Sequence, residues 1–430
     1  MFDAESKKKY EDFLKKDINN NRGLIVNQYD QIEFIMNNSP RFLIQSNLDD
    51  ILEYATHYVP YYKKYKEYKS IVDFPIIDKN TIRDNYTYFQ SLEYCQDGNN
   101  EIKSTSGSTG VPFSIIFDRK KHARYIADLK WYATLAGCVS HERMVYLHNE
   151  HHTYEHSIEI QNRDNFYNLG YTYCDSESIN NLLYKVQEIC PYGIIGYTSL
   201  FDAMADYILK NKIKRYNIPL KFIVITSERL SKKTKDVVAQ FFNCPVFSRY
   251  GSEETGVMAQ EDDTINGFRF NEASFYLEVL NLDNDEPVEN GETGRIVITD
   301  LYNKAMPLIR YDTGDLGEKN FLSNGQIYLR DIWGRRLDSI YTTDGKLVPG
   351  GEATDFLESI MDIKQFQLIQ ETCNEYTCFL NSTNHSYEEM IIHNLKTMLG
   401  KNAIVSIKYV NEIPILKSGK QLKTICKIKR

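Results

Sequence analysis

The stretch "LKFIVITSERLSKKTKDVVAQFFNCPVFSRYG", residues 220–251, decides the fold class of this chain. It opens with the apolar run 220–228, which is typical of a strand in a sheet that is covered on both faces. Ser231 then stands at the N-cap position of an amphipathic helix, and 245–251 is again apolar. A strand, a helix and a second strand in this order predict a parallel sheet with crossover helices.

The same alternation continues toward the N-terminus. "YGIIGY" (192–197) is a predicted strand, and Thr198 is the predicted N-cap of the helix "SLFDAMADYILK". "RMVYLH" (143–148) is a further predicted strand, and the helix before it is expected to end at Gly137. The sequence therefore predicts an α/β fold.

The pattern changes after residue 270. "SFYLEVLNLDNDEPVENGETGRIVITDL" alternates apolar and polar residues around Asn-Asp and Asn-Gly turns, which predicts antiparallel hairpins. A last unit begins near "DIWGRRLD" (331–338) and contains two predicted helices, at about 350–361 and 386–399. We expect this unit to be a small α+β domain.

These segments predict two domains. The first, 1–333, is a large N-terminal domain with parallel sheets and a β-rich subdomain, and residues 1–100 form its helical lead-in. The second, 334–430, is a small α+β domain. At 430 residues the chain is long enough for two or three cores.

Composition limits the possible partners. The net charge of −8 argues against a nonspecific nucleic-acid or anionic-membrane binder, and no apolar run is long enough to insert in a bilayer. The charged N-terminal segment lacks the apolar core of a secretory signal, and the eight cysteines contain no CxxC pair. We therefore expect a cytoplasmic protein with reduced thiols; its oligomeric state is not indicated.

The segment "STSGSTGVPF" (104–113) is rich in glycine and hydroxyl residues. It is not a Walker A loop, because no Gly-Lys-Ser/Thr follows, and it is not the Gly-x-Ser-x-Gly elbow of hydrolases. Either it is a plain surface loop, or its backbone N–H groups and hydroxyls bind phosphates.

Four further motifs favour the phosphate-binding interpretation. They are "YGSEETG" (250–256), "PLIRYDTGDLG" (307–317), "WGRRLDSI" (333–340) and "PILKSGKQLK" (414–423). With the glycine loop, and in this order, they resemble the adenylate-forming ligase superfamily. The phrase "TDLYNKAMPLIRYDTGD" looks most like the phenylacetate–CoA ligase branch, and within it the proteins associated with capsular-polysaccharide biosynthesis.

The resemblance implies ATP and Mg²⁺ as cofactors, with Glu254 as the metal-binding and catalytic carboxylate. It implies that the domain 334–430 is a mobile lid, and that its Lys420 is a second catalytic residue, which reaches the α-phosphate during adenylation. Asp315 matches the carboxylate that binds the ribose hydroxyls, and Arg335 matches the arginine that supports it. The remaining implied nucleotide-binding residues are Ser106, Gly107, Ser108, Thr109, Gly110, Ser227, Glu228, Arg229, Tyr250, Gly251 and Ser252.

Three positions depart from the family pattern. Glu253 stands where a threonine usually contacts the α-phosphate, and Phe113 replaces a basic residue after the glycine loop's proline. Leu337 stands at a position that is often acidic, where the C-terminal domain pivots. An additional negative charge beside phosphates is unfavourable unless it points away or is offset.

Some residues have weaker interpretations. The run "HNEHHTYEHS" (148–157) could bind zinc through His152 and His156, but a polar loop after strand 143–148 explains it better. The resemblance implies that a segment near this one helps to shape the acyl site. Asp202 could face a substrate amine or be a surface carboxylate. Cys373 and Cys378 fit a strand with both thiols buried.

The resemblance thus implies a ligase that joins a carboxylate substrate to the α-phosphate of ATP, releases pyrophosphate and passes the acyl group on. Coenzyme A, a carrier protein, or a sugar or amine are the candidate acceptors. The alternative is a noncatalytic nucleotide-binding scaffold in a biosynthetic complex, which Glu253 and Leu337 would favour.

Overall fold

The computed structural model describes residues 3–94, 98, 100–105, 113–149, 156–172, 174–213, 218–282, 284–335, 339–358, 360, 362–414 and 422–428. The helices are α1 (Ala4–Asn21), α2 (Leu24–Asn38), α3 (Arg41–Tyr58), α4 (Lys79–Asp84), α5 (Arg119–Leu135), α6 (Ile158–Asp164), α7 (Ser176–Ile189), α8 (Thr198–Lys210), α9 (Lys232–Phe242), α10 (Gly350–Glu358) and α11 (Glu388–Leu399).

Strands alternate with these helices and then dominate the second half of the chain. They are β1 (Glu101–Thr105), β2 (Phe113–Phe117), β3 (Met144–Asn149), β4 (Phe166–Tyr171), β5 (Gly193–Tyr197), β6 (Phe222–Thr226), β7 (Val246–Ser252), β8 (Gly256–Asp262), β9 (Gly267–Phe270), β10 (Phe275–Leu280), β11 (Thr293–Asp300), β12 (Tyr311–Phe321), β13 (Ile327–Arg335), β14 (Ile340–Tyr341), β15 (Leu347–Val348), β16 (Gln365–Gln370), β17 (Glu375–Asn381), β18 (Ile404–Tyr409) and β19 (Thr424–Cys426).

One sheet of 11 strands organises the N-terminal three quarters of the chain, in the order β10-β11-β12-β13-β9-β8-β7-β6-β5-β3-β4. From β7 to β4 every neighbouring pair is parallel, as the strand–helix–strand pattern predicts. From β10 to β7 every pair is antiparallel, which confirms the hairpins expected after residue 270. The α/β fold class is therefore confirmed, and β7 joins the two halves.

The apolar run at 222–225 is buried because helices cover both faces of β6. Ile223 and Ile225 pack in a core with α7, α8 and α9. Phe222 and Val224 point to the opposite face, where they pack with residues at the end of α5. Since each fully buried apolar side chain of this size contributes roughly 1.5–3 kcal/mol, both faces stabilise the strand.

The helical lead-in is tied to the antiparallel half by buried contacts. Ile77 forms an isolated parallel bridge with Tyr311 at the start of β12. Arg310 has a positive φ of 51° and donates hydrogen bonds to Glu278 and to the carbonyl of Phe74. The segment before α4 therefore lies directly beside β12.

The C-terminal part has its own sheet and core. Its four strands lie in the order β18-β17-β16-β19, and α10 and α11 pack with them around Leu368, Leu357 and Leu395. These elements give the predicted α+β character. Strand β13 extends to Arg335, so the predicted 333/334 boundary falls within it, and that boundary stays a prediction.

Two local expectations are wrong. Thr198 is the first residue of α8, not its N-cap, and its hydroxyl lies 3.1 and 2.9 Å from the carbonyls of Thr226 and Glu228. Cys373 is exposed because it precedes β17 in a turn, whereas Cys378 lies within the strand and is buried. Across the described ranges, no helix has the length and apolar character needed to cross a membrane.

Candidate active site

The candidate site lies at the carboxyl edge of the parallel strands, where β7 leaves the parallel half and enters the antiparallel half. Sheets of this kind bind ligands at such an edge. The turn from β7 to β8 carries Glu254, and glycine is needed beside it. A Cβ atom on Gly251 would lie 2.5 Å from the carbonyl oxygen of Gly256, so a larger residue would push the two strands apart.

Glu254 is a buried carboxylate with two named partners. Its side chain is 3% exposed, and its Oε1 accepts a hydrogen bond from the Tyr311 hydroxyl at 2.9 Å. The Nζ atom of Lys79 lies 2.8 Å from the same oxygen. Oε2 is buried and has no hydrogen-bond partner among the described residues. A buried carboxylate oxygen without a partner is unfavourable, so Oε2 is available to a cation or to a further hydrogen-bond donor.

The charge state of Glu254 follows from opposing effects. Burial raises the pKa of Glu254, but the Lys79 ammonium and the Tyr311 hydroxyl favour the ionised form and hold the pKa below its usual value. Burial and the nearby Glu254 charge raise the pKa of Tyr311 well above 10, so its hydroxyl stays a donor. Glu254 is therefore a carboxylate at neutral pH.

Lys79 was missed by the sequence analysis, although its backbone position is closely fixed. The bridge at Ile77 precedes it, and the Asp78 side chain caps α4 by accepting from the Thr81 N–H at 2.7 Å. The Nζ atom of Lys79 also lies 5.6 Å from the centroid of the Phe113 ring. The capping pattern "DKNT" was the available signal, but no local pattern shows that the cation meets Glu254.

Phe113 connects this pair to the glycine loop. Residues 101–105 and 113–117 pair as an antiparallel hairpin, with Thr105 opposite Phe113. The loop itself, with Ser106, Gly107, Ser108, Thr109 and Gly110, lies outside the described residues. Its two ends are nevertheless placed, and the end at Phe113 lies beside Lys79.

A second carboxylate, Asp315, lies near Glu254. The Tyr250 hydroxyl donates to Asp315 Oδ2 at 2.8 Å and lies 3.3 Å from Thr313 Oγ1. Burial, and then the charges of Asp315 and Glu254, raise the pKa of Tyr250 well above 10. Asp315 is also paired in register with Arg335 across β12 and β13, and nothing is described of the Arg335 side chain. The structure thus groups both predicted carboxylates around two tyrosines.

The segment after β6 has an unusual backbone. Ser227 has a φ of 89°, a conformation that residues with a side chain rarely adopt and that is often found at functional sites. The Thr198 hydroxyl contacts the carbonyls on either side of Ser227. Arg229, two residues later, forms a two-pronged ion pair with Asp355 of α10.

The departures from the family pattern have different surroundings. Phe113 is buried, and the cation near it is Lys79 from the lead-in. Glu253 is exposed. Burial, and to a smaller extent the Glu253 charge, raise the pKa values of Tyr146 within β3 and of Tyr197 at the end of β5. These tyrosines share a 2.8 Å hydrogen bond. Leu337 lies outside the described residues.

The structure describes some of the other predicted positions and not others. Ser252 contacts Thr255 through their hydroxyls at 2.9 Å, in the turn that carries Glu254. Lys420 and His152 lie outside the described residues. Asp202 accepts from the Thr234 hydroxyl at 2.5 Å, between α8 and α9. Within the described ranges, no cluster of three or more His, Cys, Asp or Glu side chains has metal-binding geometry.

The arrangement suits a phosphate-bearing ligand with a hard cation. A carboxylate oxygen without a partner fits Mg²⁺, which uses one or two protein carboxylates together with phosphate oxygens. A lysine and the end of a glycine-rich hairpin loop lie beside it. Asp315 adds an acceptor for hydroxyl groups.

The sequence of this chain is similar to CapK and to phenylacetate-coenzyme A ligases. The model of the CapK C-terminal domain matches residues 340–427. Protein CapK of Staphylococcus aureus is 27% identical over 269 residues, which cover 60% of this chain and 58% of CapK. A phenylacetate-coenzyme A ligase of Thermus thermophilus is 23% identical over 307 residues, which cover 66% of this chain and 67% of the ligase. The match therefore spans less than two thirds of CapK.

Solved structures show the same fold. A 2-hydroxyisobutyryl-CoA ligase in the postadenylation state, in complex with 2-HIB-AMP, has a TM-score of 0.71 at 18% identity, with 89% of each chain covered. The same ligase in the thioesterification state, with 2-HIB-AMP and CoA, has a TM-score of 0.54 at the same coverage.

Proposed function

This chain has the fold of the adenylate-forming ligases and is a homologue of CapK and of phenylacetate–CoA ligases, and we propose that it activates a carboxylate substrate with ATP. The product of the first step is an acyl-adenylate, and pyrophosphate leaves. A thiol or another nucleophile then takes the acyl group, and AMP leaves.

The observation that carries this proposal is the environment of Glu254. Its partnerless buried Oε2, the adjacent Lys79 and the end of the glycine loop form a mixed-charge site of the kind that holds a metal–nucleotide complex. Because an unmet buried acceptor is costly, Oε2 favours a further cation or hydrogen-bond donor, and its position beside Lys79 and the end of the glycine loop suits a metal–nucleotide complex.

The chain's residues would meet the main electrostatic demand of the first step. A carboxylate oxygen attacks the α-phosphorus, so two anions must approach each other, and fixed positive charge lowers that barrier. We propose that Lys79 and the N–H groups of residues 106–110 cover the phosphates. We propose that Asp315, held by Tyr250, accepts hydrogen bonds from the ribose hydroxyls. Lys420 is proposed to reach the α-phosphate from the C-terminal domain.

The cofactors follow from the same residues. We propose that Glu254 holds Mg²⁺, which when bound would neutralise phosphate charge. Coenzyme A is one candidate acceptor, and a carrier protein, a sugar and an amine are the others. The exposed Glu253 near the Tyr146–Tyr197 pair is proposed to border the acyl pocket.

Pyrophosphate exchange into ATP, measured with a library of aryl, acyl and amino acids, tests the proposal. We expect exchange with at least one acid and detection of an AMP adduct by mass spectrometry. Glu254→Gln should reduce exchange by at least about 100-fold, because electrostatic groups at such sites contribute on this scale. Glu286→Gln is the matched control, since Glu286 is exposed. Folded protein that supports no exchange with any acid would contradict the proposal.

The variant Lys420→Ala distinguishes a catalytic ligase from a noncatalytic nucleotide-binding scaffold. For a ligase we expect this change to reduce adenylate formation by orders of magnitude and to leave ATP affinity nearly unchanged. If wild-type protein binds ATP but forms no adenylate, and the substitution changes neither property, the noncatalytic scaffold is the correct interpretation.

A further inference from the structure

The C-terminal unit contacts the edge of the parallel sheet through Arg229. The guanidinium Nη2 lies 2.9 Å from Asp355 Oδ2, and Nη1 bonds to the other carboxylate oxygen. The guanidinium carbon also lies 5.3 Å from the centroid of the Trp333 ring. One arginine from the strand edge thus contacts both α10 and the end of β13. Bidentate arginine–carboxylate pairs fix the relative orientation of the two side chains as well as the distance between them.

The surrounding backbone is shaped to admit this side chain. A Cβ atom on Gly351, in the first turn of α10, would lie 2.8 Å from both Cδ and Nη1 of Arg229. The turn that carries Arg229 out of β6 has the strained φ at Ser227 and is held by the Thr198 hydroxyl. A glycine within a helix and a positive φ at a serine are both unfavourable locally, and both lie beside the guanidinium that meets α10.

A second cation, Lys423, lies near the same helix, and it belongs to the C-terminal unit whereas Arg229 belongs to the N-terminal unit. Lys423, three residues after Lys420, forms a 2.8 Å ion pair with Glu358 of α10. Burial lowers the pKa of Lys423, but the carboxylates of Glu358, Asp202 and Glu228 raise it above its usual value. The last two carboxylates belong to the N-terminal unit, so acidic groups of both units act on the Lys423 charge.

We propose that Arg229 is a positioning residue that clamps the C-terminal unit, through Asp355 and Trp333, in the arrangement that serves adenylate formation. The clamp fixes α10, and the Glu358–Lys423 pair links α10 to the chain that follows Lys420. Acyl transfer then requires the clamp to open. The link between the clamp and the two reaction steps rests on the proposed function, whereas the existence of the clamp does not.

Structural measurements test the clamp without any substrate. We expect Arg229→Gln and Asp355→Asn each to increase amide hydrogen exchange in α10 by about threefold to tenfold and to enlarge the particle measured by small-angle X-ray scattering. Arg229→Lys keeps the charge but lacks the planar fork, so it should fall in between. Lys232→Gln is the matched control, because Lys232 is exposed and pairs within α9 with Asp236. Unchanged exchange in α10 for both clamp variants would overturn the proposal.

Separate assays of the two half-reactions test the positioning role. We expect Asp355→Asn, which breaks the pair without touching a predicted nucleotide-binding residue, to slow pyrophosphate exchange about threefold to tenfold, while transfer from chemically prepared acyl-adenylate stays unchanged or becomes faster. An equal loss in both steps would indicate a merely structural role and overturn the proposal. If no acid supports exchange in the wild type, the proposed function fails, and hydrogen exchange still decides whether the clamp exists.

Discussion

Lys79→Met should reveal how strongly the buried site depends on one cation. At the Nζ–Oε1 distance of 2.8 Å, the Coulomb attraction between two unit charges is about 6 kcal/mol at an effective dielectric constant of 20 and about 1.5 kcal/mol in bulk water. The Lys79 side chain is 40% exposed, which places the pair near the lower value. We therefore expect a coupling of about 2 kcal/mol with Glu254, and a rise in the Glu254 pKa when the cation is removed.

The assay is a double-mutant cycle at pH 7, in which urea unfolding is measured for Lys79→Met, Glu254→Gln and the double variant. The losses in free energy of unfolding of the two single variants should sum to about 2 kcal/mol more than the loss of the double variant. The reason is that a neutral glutamine at position 254 no longer needs the Lys79 cation. Lys66→Met is the control, because Lys66 is an exposed lysine of the same lead-in. A coupling below about 0.5 kcal/mol would refute the reasoning that Lys79 neutralises the carboxylate.

Three further outcomes are expected. Tyr250→Phe removes the 2.8 Å hydrogen bond to Asp315 and should raise the KM for ATP about fivefold to twentyfold in the exchange assay; an unchanged KM would separate Asp315 from nucleotide binding. Burial lowers the pKa of His141 to about 3, so the unfolded chain binds a proton first as the pH falls. Urea unfolding should therefore show a loss of about 2 kcal/mol between pH 7 and pH 5 that is absent in His141→Asn; equal losses in both would contradict it. Cys373 should react quickly with a thiol reagent in the folded state, whereas burial raises the pKa of Cys378 to about 12, and peptide mapping should find it protected.

The fold was largely predictable because its signals are local. The apolar run at 222–225 has the length and continuity of a covered strand, and Ser231 caps the next helix by accepting from the Thr234 N–H. The Asn-Asp and Asn-Gly turns likewise specify hairpins over a few residues. Local predictions were wrong where a distant group competes, as at Thr198, whose hydroxyl contacts carbonyls about 30 residues away.

The candidate site was predictable only in its sequence motifs. "YGSEE" and "YDTGD" drew attention to Glu254 and Asp315, which the structure places around Tyr250 and Tyr311. Lys79 was missed because it lies 175 positions before Glu254, in a segment that the sequence presents only as a proline- and asparagine-rich break. Its role depends on the bridge between Ile77 and Tyr311, which no periodicity indicates.

The sequence by itself determined which segments become strands and helices, since hydrophobic period, caps and turns act over a few neighbouring residues. Only the tertiary structure decided which charges meet: Lys79 with Glu254, and Arg229 with Asp355. The physical reason is that an ion pair depends on a separation of a few ångströms in space, and chain folding sets that separation independently of the distance along the sequence.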